Sequence, residues 1–517
     1  MRSVEIVLAL VVLATAVAAG ARRLRVPAPS LLVVAGVLAG LVPGLPEVRL
    51  PPEIVSLLVL PPLIYAAGEE MSWRALRQVW RPVTLLAVGL VLASAAAVGA
   101  VAAALTDLTV PMALLLGTVL ASTDPVAVAA LGRRLSLPTR VQTLVQAESL
   151  FNDATSLLLF KLAVTVAVAG GAFSWGHAGG EFALLAGGGA AAGALVAVVI
   201  AAIRRRTEDP VLETVTALVT PYAAYVAAEA VHASGVTSVV VAAVILGRQA
   251  AALTNAGIRL QLGAVYGTVI FLLESVVFSL IGLQLPTLVR HLSDAAEDWA
   301  APALAIAATL IVVRVLWVFP LAAVRAWRGG TRASWQVPAV VSWAGARGVV
   351  PLAATLSIPL VTDAGAPLPG RELVAVLATS VIVISLVVQG FTLAPLVRLA
   401  GLVVPPSTGR RELALAQLRT AQAAQERLAR LEDAPQIVLE RLRIGLQDRI
   451  ERGELRMNGD PGVDSVLADY RRLRRDLIAA EIAELHRLHD AGEIGESTLR
   501  EVRHLLDLED AALDRGP

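Results

Sequence analysis

The chain has 517 residues, of which 56% are hydrophobic and 16% charged, with a mean hydropathy of +0.72; soluble domains carry nearer a quarter charged residues, so most of this chain belongs in lipid. Its 43 basic and 42 acidic residues leave a formal charge of +1, which offers no basic field for nucleic acid. There is no cysteine, which excludes disulfides, thiolate metal sites and cysteine nucleophiles.

Crossing about 30 Å of hydrocarbon takes about 20 apolar residues in a helix. Windows of that kind fall near residues 4–21, 29–45, 53–68, 82–105, 110–131, 140–169, 182–203, 211–231, 235–247, 259–288, 299–325, 333–357 and 372–399, predicting thirteen spans. Loop charge tests the count, because short cytoplasmic loops collect basic residues. With the first loop inside, seventeen arginines fall in inside loops, and Arg2, Arg49, Arg290 and Arg371 outside. The alternation predicts an external amino end and a cytoplasmic carboxyl end. Arg22, Arg23 and Arg25 directly follow the first window. A cleaved signal is charged before its apolar core, so the first span is expected to be retained.

After Pro405 and Pro406 the composition turns to Arg, Glu and Asp, with Leu413, Leu415, Leu418, Leu428 and Leu431 at helical spacing. The expectation is a membrane module over 1–403 and a soluble helical cytoplasmic tail over 408–517. A turn is predicted at Asn458 to Gly462, and a helical pair broken at Ala491 and Gly492.

Residues 147–160 read AESLFNDATSLLLF, inside the sixth window. Positions 148, 149, 152 and 153 fall at about 0°, 100°, 40° and 140° around a helix, so Glu148, Ser149, Asn152 and Asp153 share one face. Ionisable groups at that depth mark ion or proton pathways by default. Carboxylate, hydroxyl and amide oxygens are hard ligands, suited to an alkali cation.

Two spans are interrupted. Asp124 precedes Pro125 in the fifth, and the twelfth carries Gly345, Arg347, Gly348 and Pro351 within an apolar run. Spans one to six and eight to thirteen pair as two halves, which aligns five with twelve. Broken helices at matching places point to a transport site, where freed carbonyls and half-helix dipoles can face an ion. Arg347 needs a counter-charge, and Glu148 is the expected partner, leaving Asp153 to titrate. A charged, empty carboxylate is the costly state there, so a proton and a metal ion would compete for it.

The segments TDPVAV, ESLFND, GARG and SLVVQGFTLAPLVRLAG (385–401), in this order, resemble the NhaP/NHE-type monovalent cation:proton antiporters, in the bacterial subgroup with a helical cytoplasmic tail. The likeness covers roughly residues 1 to 400. It implies an all-α membrane protein of about 13 spans, built as two inverted six-helix repeats with crossed broken helices. Dimerisation helices would lie at about 4–68 and 182–288 and a mobile core at about 82–169 and 299–399. The protein would work as a homodimer in the bacterial plasma membrane, exchanging Na+, or Li+ or K+, for H+ by an elevator motion, with no cofactor beyond the transported ions. Asp153 would be the shared ion and proton carrier, with Ser149 and the backbone around Thr123 as further cation ligands. Asp124 would act through water, Asn152 would steady the breaks, and Glu148 would pair with Arg347. Asn at position 152 resembles the electroneutral branch. Pro351 departs from the family pattern, where a small or hydroxyl residue is expected.

Other intramembrane charges have plainer expectations. Lys161, the sole lysine, should snorkel to the outer surface; Glu229 and Glu274 lie on expected dimerisation helices, and His177, His232 and His291 in loops. Competing functions are K+/H+ exchange with tail-regulated activity, and an ion channel or membrane sensor. An enzyme or ATP-driven pump lacks support, since HExxH, GxSxG and GxxxxGK[ST] are missing.

Overall fold

The computed structural model describes residues 2–24, 26–43, 55–124, 137–168, 175–207, 209–292, 298–329, 334–362, 365–402, 406–431, 435–458 and 463–515. Among these the chain is all-helical, apart from one isolated bridge between Val361 and Pro367. In order the helices are α1 (Arg2–Leu24), α2 (Ala28–Gly40), α3 (Leu60–Glu69), α4 (Trp73–Leu105), α5 (Val110–Leu120) and α6 (Thr139–Val168). Then come α7 (Trp175–Arg204), α8 (Pro210–Glu229), α9 (Gly235–Leu253), α10 (Ala256–Arg290) and α11 (Ala300–Arg328). The half-helices α12 (Gln336–Trp343) and α13 (Val349–Leu356) precede α14 (Arg371–Leu399). Seven helices among the described residues are long and apolar enough to cross a membrane: α4, α6, α8, α10, α11, α14 and the Gly179–Arg204 part of α7. Shorter apolar helices occupy the other windows, and the twelfth window is split in two.

Helix starts follow local chemistry. The Asp209 carboxylate accepts from the Val211 and Leu212 amides at 2.7 and 2.9 Å, Ser234 from Thr237 at 3.2 Å, and Asn255 from Ile258 at 2.9 Å. Each occupies amides that the first turn leaves free. Side packing relies on small residues, as expected where lipid supplies no hydrophobic drive between helices. On α2, a methyl group added to Gly36 would strike the Ser279 carbonyl of α10, and one on Gly282 would strike Val33. Gly117 meets the Ala95 backbone of α4 in the same way, and Gly193 of α7 meets the Ser238 carbonyl of α9.

The chain divides into two compact units, Met1–Val403 and Val404–Pro517. The second holds α15 (Pro406–Leu428), α16 (Gln436–Asn458), α17 (Val463–Asp490) and α18 (Glu496–Arg515). Gly453 of α16 packs on Leu418 of α15. Between α17 and α18, Arg474 donates to both Glu509 oxygens at 2.8 Å over a seam containing Ile478, Leu485, Leu499 and Leu506. The break expected at Ala491 and Gly492 is present, with Gly492 at φ +73°. The expected turn at 458–462 falls outside the described residues beyond Asn458.

Candidate ion-binding site

α6 presents Glu148, Ser149, Asn152 and Asp153 to the interior, all buried, as its helical spacing requires. Opposite them α5 stops at Leu120, and residues 122–124 are non-helical. Pro125 lies outside the described residues. The unwound stretch frees the Thr123 carbonyl, which accepts from Ser149 Oγ at 2.6 Å, and the Thr123 side-chain Oγ1 accepts from Asn152 Nδ2 at 2.6 Å. One turn below, Ser156 Oγ donates to the Thr118 carbonyl at 2.6 Å.

The second break meets the first. α12 ends at Trp343 and α13 begins at Val349. The Asp124 amide donates to the Ala346 carbonyl at 2.7 Å, and the Val349 amide donates to Asp124 Oδ2 at 3.4 Å. Asp124 thus caps α13, where a carboxylate meets free amides and the positive end of the helix dipole. Gly348 permits this, since a Cβ there would land on the Asp124 carboxylate. The break lies at residues 344–348 and does not reach Pro351. Pro351 is the third residue of α13, in a first turn that asks no hydrogen bond of its missing N–H.

Asp153 lies beside this junction, close enough to Ser122 and Asp124 for both to act on it. Its Oδ1, like Asn152 Oδ1, is buried without a hydrogen-bond partner. Buried polar atoms are seldom left so, and these two oxygens are consistent with a place for a passing cation or proton.

The expected pairing of Glu148 with Arg347 is corrected. Glu148 is held by Arg314 of α11, whose Nη1 and Nη2 reach Oε1 and Oε2 at 2.5 and 2.8 Å while its Nε donates to the Val341 carbonyl at 3.1 Å. The planar guanidinium matches both carboxylate oxygens at once. Gly345 leaves the space through which the Arg314 side chain passes. Arg347, buried as well, turns back to donate from Nη1 to the Gly345 carbonyl at 3.1 Å, and its amide donates to Ser385 Oγ at 3.0 Å. Glu148 still lies near enough to act on the Arg347 charge. Arg314 is absent from the sequence reading, although a lone arginine in the run LIVVRVLWVF is the kind of intramembrane charge that marks a partner.

Three further ion pairs join described helices of this unit. Lys161 does not simply snorkel: its Nζ meets Glu229 Oε1 at 2.7 Å. Arg204, assigned to a loop by charge counting, is buried and donates to Glu213 from Nε and Nη2 at 3.2 and 3.1 Å, with Glu69 at 3.8 Å.

The fold is shared with a solved protein. The solved sodium proton antiporter MjNhaP1 from Methanocaldococcus jannaschii superposes with a TM-score of 0.64 at 19% identity, over 77% of this chain and 98% of that one. The sequence model described as "Sodium/hydrogen exchanger, transmembrane" matches residues 7–399. The chain belongs to the sodium/hydrogen exchanger family. A family member from Mycobacterium bovis, described as an uncharacterized Na(+)/H(+) exchanger, is 35% identical over 95% of this chain and 92% of its own length. The Na(+)/H(+) antiporter ApNhaP of Aphanothece halophytica is 31% identical over 73% of this chain and 70% of its own. A sodium, potassium, lithium and rubidium/H(+) antiporter of Bacillus pumilus is 30% identical over 71% of this chain and 57% of that protein. The chain is therefore a membrane-embedded relative of monovalent cation/proton antiporters.

Proposed function

We propose that the protein exchanges Na+ for H+ across the bacterial plasma membrane, with Asp153 neutralised in turn by one ion or the other. The observation that supports this most directly is a buried carboxylate with an unpartnered oxygen, set beside two adjoining helix breaks that supply further oxygen groups. Ser149 and the Thr123 carbonyl are proposed cation ligands. They bond each other in this structure, so a cation would draw on oxygen lone pairs that the bond leaves free. Asp124 is already engaged as the cap of α13 and acts indirectly, by fixing that junction. Asn152 holds Thr123 in place. The carboxylate of Glu148 is occupied by Arg314, which leaves Asp153 to hand over one charge for one charge, an electroneutral cycle. We further propose thirteen spans in two inverted halves, a homodimer with its tail in the cytoplasm, and a core of residues about 82–169 and 299–399 that slides past the dimerisation helices.

Proteoliposomes holding a pH dye test the central step. A sodium jump should dequench the dye in the wild type and leave Asp153→Asn inert, with the variant still folded in detergent. Exchange by Asp153→Asn, or no response of the wild type to sodium, lithium or potassium, would overturn the assignment. A second reading, K+/H+ exchange, is favoured by the Bacillus pumilus relative, whose name includes potassium and rubidium; the same assay with potassium separates the two.

A further inference from the structure

The seam between α6 and the helices α7 to α9 is one place where the proposed sliding must occur, because α6 carries Asp153. On their own side α7, α8 and α9 are fastened closely. Ser238 Oγ donates to the Ala224 carbonyl at 2.7 Å, the Ser234 amide donates to the Leu185 carbonyl at 3.1 Å, and Gly189 and Gly193 leave no room against the α9 backbone. Across the seam the contacts differ in kind. Leu150 of α6 lies beside Gly68 of α3, in an apolar cluster that includes Ala243 of α9. Toward the far end of α6 from Arg140, Lys161 reaches over to Glu229 at 2.7 Å.

Glu229 is prepared for this contact. Its Oε1 also accepts the Gly235 amide at 3.2 Å, across the sharp turn where His232 adopts φ 55°. That bond keeps the carboxylate in place when the lysine leaves. Both side chains are 39% exposed, so neither is locked into the packed interior of the unit. Arg204–Glu213 is buried on both sides and lies wholly between α7 and α8, so it does not cross the seam. Lys161 stands eight residues beyond Asp153, about 12 Å along the same helix, so any axial shift of the carrier also shifts the lysine.

We propose that Lys161 and Glu229 form a breakable latch between the Asp153 helix and the static helices, closing one end of the seam in one half of the cycle and parting in the other. The proposal rests on the sliding motion inferred above. The lysine has no acid–base or ligand role in it; it positions α6 through an ion pair weak enough to break at each turnover.

The composition makes the test clean, because Lys161 is the only lysine in the chain. Reconstituted full-length protein is exposed to a membrane-impermeant amine-reactive ester, and modification of the peptide containing residue 161 is read by mass spectrometry. Glu229→Gln should speed labelling of Lys161, and sodium should change the wild-type labelling rate. The single variants Lys161→Glu and Glu229→Lys should alter the exchange rate up to about fivefold, the range of an exposed ion pair, and the double swap should return it toward wild type. Equal labelling in wild type and Glu229→Gln, or a double swap no better than the singles, overturns the latch. If exchange itself is absent while labelling still responds to Glu229→Gln and to sodium, the latch stands and the exchange assignment falls. If exchange proceeds but labelling ignores both, the latch alone falls.

Discussion

Arg314 and Arg347 both lie near Glu148, yet the bidentate bond goes to Arg314. Arg314→Ala should therefore leave a buried carboxylate unpaired, at a cost of about 3–5 kcal/mol, visible as a large drop in melting temperature in detergent. Arg347→Ala should cost clearly less, because its side chain bonds a backbone carbonyl. Equal losses from the two would contradict the assignment of partners. The residue pattern ESLFND was enough to place four polar side chains on one buried face, because 3.6 residues per turn fixes that face before any tertiary contact forms. The choice between two arginines was not legible. It depends on how α11 passes the break at 344–348 and on Gly345 giving it room, and neither is a property of local sequence.

At the scale of elements, the end of α5 and the break between α12 and α13 hold each other by backbone groups and one carboxylate. Gly348→Ala would set a methyl group on the Asp124 carboxylate. Overpacking of this kind costs about 1–3 kcal/mol, and loss of the cap should displace residues 122–124 from α6. The expected result is lower thermal stability together with weaker apparent sodium affinity in vesicle exchange. Wild-type affinity in a stably folded variant would show that the cap does not position the site. The breaks themselves were legible as glycine and charge within apolar runs. Their boundaries were not, because Pro351 costs nothing in a first turn and so marks no break.

The tail permits a prediction of another sort. Arg474 holds the Glu509 carboxyl below its usual range, and Arg487 does the same for Glu484. A carboxylate with a lowered folded-state pKa adds stability above its ordinary value of 4.5, and that contribution is lost as pH falls through the lower folded value. These pairs should therefore be indifferent to pH between about 6 and 8 and weaken only in strong acid, where the carboxylates protonate. Hydrogen exchange over residues 463–515 of the full-length protein, corrected for intrinsic rates, should show flat protection across neutral pH. A sharp change there would point to the tail histidines.

For the whole molecule, one carboxylate exchanging one cation for one proton moves no net charge. Exchange in vesicles should then run at the same rate with or without an imposed membrane potential, and a voltage-dependent rate would mean that a second acid takes part. Apolar windows were legible because lipid demands them, and the two-unit division followed from the same contrast in composition. Less visible in advance were the seams between helices, which depend on which glycines come face to face. Where Gly36 and Gly282 bring two backbones together, the fit is one of shape, with no titratable group at the point of contact. Such a joint ignores acidity and ionic strength. If the core slides as proposed, conditions that govern its speed would act elsewhere, on joints made of charge, and α2 with α10 would serve as the fixed frame against which those joints open.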